Sequence, residues 1–163
     1  MAADETRPAK SARAPFLHMP VPWVFVLGYL IGVGLQVLFP VAQSETGWST
    51  ALRIAGGCAV VAGFSVAGWA WMLFQRAGTS RVPGESSRVL VTRGPYRFTR
   101  NPMYVGLTTA YIGEAGALLQ IWPLCLLLVV LAYVNWFVIP VEEATLASFA
   151  GYERYRAHVR RWI

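Results

Sequence analysis

Gly94-Pro-Tyr-Arg-Phe-Thr-Arg-Asn-Pro-Met-Tyr-Val-Gly106 is polar, basic and rich in turn-forming residues, yet it runs directly into an apolar tract. Between residues 101 and 141 the only charged side chain is Glu114, and the tract ends in an acidic pair, Glu142-Glu143. A spanning helix needs about 20 apolar residues, so this tract predicts two spans folded as a hairpin, with a turn near residues 120–123. Working outward, residues 20–43 and 54–75 carry no charge at all, and each fits one further span. The expected fold is therefore an all-α integral membrane protein with about four transmembrane helices, roughly 22–41, 53–74, 102–119 and 122–140. To these the pattern adds an elaborate loop at 75–101 and a C-terminal amphipathic helix at 142–162.

Composition supports that reading. The chain has 163 residues, 56% of them hydrophobic and 13% charged, against roughly 25% charged in soluble domains. Too little polar sequence remains to coat the core of a soluble protein. Residues 1–19 read as a disordered arm and residues 20–163 as one membrane domain. The first apolar tract is longer than the roughly 7–15 residues of a signal-peptide core, and Asp4 and Glu5 precede it, which disfavours cleavage.

Charge placement predicts orientation. Arg7, Lys10 and Arg13 lie in the arm; Arg76, Arg81, Arg88, Arg93, Arg97 and Arg100 in the second loop; Arg154, Arg156, Arg160 and Arg161 in the tail. The other two connections are poor in basic residues. Short basic loops stay cytoplasmic, so four spans place both termini and the second loop in the cytoplasm of a multi-pass cell-membrane protein. The net charge of +6 then reads as topology plus attraction to anionic headgroups, and a nucleic-acid partner is not expected. Cys58 and Cys125 fall inside predicted spans as small packing residues, and no dense His/Cys spacing suggests a metal.

Glycines at 28, 32 and 34, and at 56, 57, 63 and 68, give small faces for close helix packing. Trp48, Trp69 and Trp71 lie near predicted membrane boundaries, as an aromatic belt would. The second loop is too elaborate for a plain connection: Pro83-Gly84, Gly94-Pro95 and Asn101-Pro102 are turn signals, and residues 88–92 look extended. Pro102 suits the first turn of a helix, whose free N–H groups favour negative charge. In the tail, Leu146, Phe149, Tyr152, Tyr155, Val159 and Trp162 recur at helical steps, with Gly151 as an interruption.

Two adjacent acids on a helix point about 100° apart, so one of Glu142 and Glu143 is expected to face inward. An inward carboxylate at a membrane boundary needs a partner; Arg97, Arg100 or a cationic ligand are the candidates. Glu114 reads as reaching the far interface. With Tyr96 and Tyr104 added, the polar islands describe a pocket for a zwitterionic, aromatic-bearing small molecule.

The blocks Gly94–Gly106, Glu142-Glu-Ala-Thr-Leu146, Phe149-Ala-Gly-Tyr-Glu-Arg-Tyr155 and Val159-Arg-Arg-Trp162 resemble the isoprenylcysteine carboxyl methyltransferase family, itself similar to phospholipid methyltransferases. The resemblance covers residues 88–163; the first two spans match only as apolar segments. It implies a membrane methyltransferase that uses S-adenosyl-L-methionine, and makes the loop at 75–101 a cofactor-binding loop. Cofactor contacts would come from Leu90, Val91, Tyr96, Asn101, Pro102, Met103, Tyr104 and Glu142, with Glu142 and Arg100 as the catalytic pair. The acceptor would be lipophilic: an isoprenoid carboxylate, a phospholipid amine or a thiol, reached from the bilayer. Two positions depart from the family pattern. Asn101 stands where eukaryotic members have His, and can still hydrogen-bond. Val138 stands where the family has a substrate-binding Arg, one helical turn before the first acid, which removes the counter-charge for a prenylcysteine carboxylate. A non-catalytic membrane binding or assembly protein with the same fold is the alternative reading.

Overall fold

The computed structural model describes residues 21–41, 47–77 and 90–163. The predicted arm at 1–19, the first loop at 44–46 and the turn around Pro83-Gly84 lie outside the described residues. Among those described, the protein is all-helical. Helix α1 runs Val21–Leu38, α2 Gly47–Ala77, α3 Pro102–Ala117, α4 Ile121–Tyr133, α5 Ile139–Leu146 and α6 Tyr152–His158. A 3-10 turn at Gly94–Arg97 precedes α3.

Helix α2 extends well past the expected 53–74. No proline interrupts Gly47–Ala77, and polarity alone does not end a helix. The C-terminal region departs further from expectation. The predicted amphipathic helix 142–162 is not a separate unit starting after the last span. The apolar helix instead continues without a break over Ile121–Leu146. Proline inside a helix lacks a donor and clashes with the carbonyl four residues back. Here Pro140 is accommodated by a π-helical segment at Val134–Val138, where the Ile139 N–H reaches back to the Val134 carbonyl. The chain then turns at residues 147–151, with Gly151 at φ 86°, and forms the short α6. The last residues leave α6 extended, beginning with Val159 at φ −117°, ψ 129°.

Two antiparallel pairs make up the bundle. In the first, Gly56 and Gly63 of α2 lie against Gly113 and Gly106 of α3. A methyl group on Gly106 would stand 2.6 Å from the Gly63 carbonyl oxygen and 2.7 Å from the Ala67 nitrogen. Only backbone-to-backbone contact fits there. In lipid, where burial of apolar surface gives no drive to associate, such close packing is what holds helices together. In the second pair, Gly32 of α1 meets the backbone of Pro123, and Gly28 meets Val130, both in α4. Of the glycines singled out in sequence, Gly34, Gly57 and Gly68 would place an added Cβ more than 4 Å from any neighbour among the described residues. Cys58 and Cys125 are exposed, so they do not pack the interior. Between the pairs, Phe25, Tyr104, Tyr111, Leu127, Val130, Val134 and Ile139 form one buried cluster.

The hairpin turn lies at 118–120, just ahead of Pro123, which sits in the first turn of α4. Leu119 takes φ 53°, and the Gln120 N–H donates to the Ala115 carbonyl at 2.8 Å. The N–H groups that open α4 find an acceptor on α1: Gln36 Oε1 lies 3.3 Å from Ile121 N and 3.4 Å from Trp122 N. Tyr29 Oη donates to Gln120 Oε1 at 3.1 Å, so the turn is satisfied by side chains from α1. Glu114 lies toward this end of α3, away from Glu142.

The outer faces are apolar. Leu30, Ile54, Val61, Leu128, Trp136 and Phe137 are each more than half exposed. Gly47–Ala77 and Ile121–Leu146 are each long and apolar enough to cross a membrane; Pro22–Leu38 is apolar but shorter.

Candidate functional site

The loop that enters α3 is built against the end of α2. Leu90 and Val91 are half-buried and irregular, without the ladder of a strand. At Gly94 the chain takes φ +61°, and an added Cβ would meet Leu73 at 2.6 Å and Trp69 at 3.2 Å. Conformation and space therefore both require glycine here. Tyr96 then reaches the Ala70 carbonyl with its hydroxyl at 3.4 Å, while its own carbonyl accepts from Tyr155 Oη at 2.7 Å. Burial, and then the charge of Glu142, push the Tyr96 phenol up to about 12. Burial, and then Tyr96, push Tyr155 to about 12. Both stay neutral, hydrogen-bonding phenols through the accessible pH range.

Helix α3 opens with Pro102, and its N-cap residue Asn101 makes no capping bond. Asn101 Nδ2 donates instead to the Arg161 carbonyl at 2.9 Å. Val105 N–H is the first to find an intrahelical acceptor, the Asn101 carbonyl. Among the described residues the Met103 and Tyr104 N–H groups have no acceptor, at the positive end of the helix. One residue on, Tyr104 is almost wholly buried and stacks on Phe25. Its hydroxyl donates to Glu142 Oε1 at 2.6 Å, a short charge-assisted bond. Among the described residues Glu142 has this one hydrogen-bond partner, and the residue is itself exposed.

One acid faces inward and is paired with arginine, and the structure decides which. Glu143, not Glu142, is the enclosed one. Its side chain is 11% exposed and meets Arg161 Nη2 at 2.7 Å and Arg100 Nη1 at 3.2 Å. Arg161 Nε adds a bond at 3.3 Å. Arg100 is thus paired with Glu143 rather than Glu142, and Arg97 is exposed. Around this ion triad the tail is tied to the loop by backbone bonds. Arg100 N–H donates to the Arg160 carbonyl at 2.9 Å, and Thr99 Oγ1 donates to the Arg161 carbonyl at 3.1 Å. Trp162 Nε1 donates to Asn135 Oδ1 at 3.1 Å.

Sequence reasoning brought Tyr96, Asn101, Pro102, Met103, Tyr104 and Glu142 to one region, and the structure gathers them at the head of α3. Glu143, Thr99, Tyr155 and Arg161 were not anticipated as a clasp. The tail arginines carried a topological signal that masked it; the one available hint was a second acid beside the first. Replacing Glu143 by Ala should leave the Arg100 guanidinium buried without a counter-charge, a loss on the order of 3–5 kcal/mol. Thermal unfolding in detergent should show Glu143→Ala to be far less stable than Glu142→Ala. Equal midpoints would mean that the clasp does not hold the tail.

The site combines a carboxylate with backbone N–H groups, a set that suits a zwitterionic small molecule. Among the described residues one oxygen of the Glu142 carboxylate has no hydrogen-bond partner, and a carboxylate suits a cation. The open N–H groups of Met103 and Tyr104 suit a carboxylate. Among the described residues no cluster of His, Cys, Asp and Glu is placed to hold a metal. The model of the phospholipid methyltransferase family matches residues 51–151, more than half of the chain. No curated protein and no solved structure matches it.

Proposed function

The chain belongs to the phospholipid methyltransferase family, a family of membrane methyltransferases, and on that premise we propose that it transfers a methyl group from S-adenosyl-L-methionine to a lipophilic acceptor, as isoprenylcysteine carboxyl methyltransferases do. The observation that carries this reading is the Tyr104–Glu142 bond at 2.6 Å, set beside the uncapped first turn of α3. When bound, the cofactor would supply an electrophilic methyl carbon on a sulfonium: the acceptor–methyl bond would form as the carbon–sulfur pair returns to sulfur, and an acceptor that carries a proton would lose it to water. The chain's own residues bind and align. Tyr104 fixes the rotamer of Glu142 by donating its proton to Oε1, leaving the other oxygen for the cofactor's cationic part. The N–H groups of Met103 and Tyr104 take the amino-acid carboxylate. Leu90, Val91 and Tyr96 enclose the adenosine side, and the Glu143 clasp keeps Asn101 and the tail in register. Methyl displacement depends on alignment more than on acid–base groups, so a rigid set of this kind is the chemistry's main requirement.

In this reading residues 20–163 form one multi-pass membrane domain. Helices α1, α2, α3 and α4–α5 all cross, and both termini and the site face the cytoplasm, in accord with the arginine count of the loops. The acceptor enters from the bilayer.

Titration calorimetry of the detergent-purified protein with S-adenosyl-L-methionine tests the proposal. Micromolar binding is expected. No heat from a protein that unfolds cooperatively would overturn it and leave a binding or assembly role for the same fold.

A further inference from the structure

Helices α3 and α4 are joined by a tight turn but touch little along their length, and a groove of about 510 Å³, open to the outside, runs between them. Its walls include Thr108 of α3, Leu128 and Leu131 of α4, Asn135 and Trp136 of the π segment, and Trp162 of the tail. Its position follows from helical spacing. Thr108 lies one turn beyond Tyr104, on the same face of α3. Asn135 lies in the π segment that leads into α5 and Glu142. The cavity therefore lies one turn along α3 from Tyr104 and is walled on its other side by the π segment that precedes the Glu142 turn.

Two polar groups stand in this wall. Thr108 Oγ1 is buried and has no hydrogen-bond partner. Its neighbour Thr109 donates to the Val105 carbonyl at 2.9 Å, the usual way a helical threonine is satisfied in an apolar medium. Thr108 makes no such bond, and a single rotation about its Cα–Cβ bond redirects the hydroxyl. Asn135 accepts from Trp162 through Oδ1, which leaves its amide N–H₂ as a donor. A π segment is a common device at functional positions, and here it carries Asn135 in the wall.

No lining residue is charged. Arg100 and Arg161 are both held by Glu143, and position 138 is a valine packed against the core. Bringing a carboxylate or an ammonium into such a site without a partner costs several kcal/mol. We propose that this cavity is the acceptor site and that it selects an uncharged lipophilic acceptor bearing one hydroxyl or thiol, held by Thr108 and Asn135, over a carboxylate or a cationic amine. The inference rests on the methyltransferase reading and names its acceptor class.

Photolabelling in lipid nanodiscs tests it. Diazirine-bearing twelve-carbon chains ending in hydroxyl, thiol, carboxylate or primary amine are compared on the wild-type protein, with labelled peptides mapped by mass spectrometry. Labels on the lipid-facing surface of α2 report partition of each probe. The alcohol or the thiol should label Thr108 and residues 128–136 saturably, at least tenfold above the carboxylate and the amine after that correction; which of the two is stronger identifies the headgroup. Thr108→Val should lower the stronger signal about fivefold, as loss of one hydrogen bond does, and Leu131→Trp should fill the cavity and remove it. Equal or stronger labelling by the carboxylate or the amine, or labelling that avoids these residues, overturns the proposal without recourse to any variant. Cofactor calorimetry on the same samples separates the two readings: labelling as expected without cofactor binding removes the methyltransferase reading, and cofactor binding with the wrong label pattern removes only the acceptor site.

Discussion

Glu142→Gln should weaken S-adenosyl-L-methionine binding by about a hundredfold and abolish measurable methyl transfer, with unfolding left within about 1 kcal/mol of the parent. Glutamine keeps the shape and one carbonyl oxygen, so Tyr104 still has an acceptor. What is removed is the negative charge facing the ligand. Hydrogen bonds to charged groups contribute about 1.5–3 kcal/mol each, and the upper figure corresponds to two decades in affinity. The exposed surface of Glu142 means that no buried cation is orphaned by the change, so the fold should tolerate it. Glu143→Ala is expected to behave in the opposite sense, with a large loss of stability and a binding defect that follows from it. Calorimetry and thermal unfolding on both variants distinguish the roles. Wild-type affinity in Glu142→Gln would remove this residue from the cofactor site.

Much of that division could not be read from the chain. Adjacent acids after an apolar helix show that one faces inward, but the choice between them depends on where the tail returns, and no local pattern encodes that. The tail arginines satisfied the charge rule for orientation, so their pairing had no separate signature. By contrast, the helices were legible because apolar tracts without charge leave few alternatives, and the start of α3 was legible because Pro102 suits a first turn and the apolar tract begins there. The continuation of the last helix through Pro140 was hidden: proline normally marks an end, and only the wider π turn at Val134–Val138 lets the helix pass. The cavity at Thr108 was hidden as well, since two neighbouring threonines on an apolar helix look equivalent until one is seen bonded to its own backbone and the other is not.

Gly63→Leu should be the most damaging single change to the fold, costing about 3 kcal/mol or more, at the upper end for overpacking. A Cβ at this position would stand 2.5 Å from the Gly106 carbonyl oxygen, and closer still to the Ala110 nitrogen. These neighbours are backbone atoms of α3, which cannot rotate away as a side chain does. The helices must therefore separate. Gly57→Leu and Gly68→Leu place the same side chain on the same helix where nothing lies within 4 Å, and they should be neutral, so helix propensity and lipophilicity are controlled. The consequence reaches the site. Tyr96 is anchored on the Ala70 carbonyl of α2, two turns from Gly63, while Tyr104 rises from the first turn of α3, half a turn before Gly106. Moving α3 off α2 shifts Tyr104 and the loop apart, so partial separation should weaken cofactor binding even in molecules that remain folded. Denaturant unfolding in mixed micelles, followed by calorimetry of the folded fraction, measures both effects. A Gly63→Leu protein as stable as Gly57→Leu would mean that the close α2–α3 contact does not hold the bundle together.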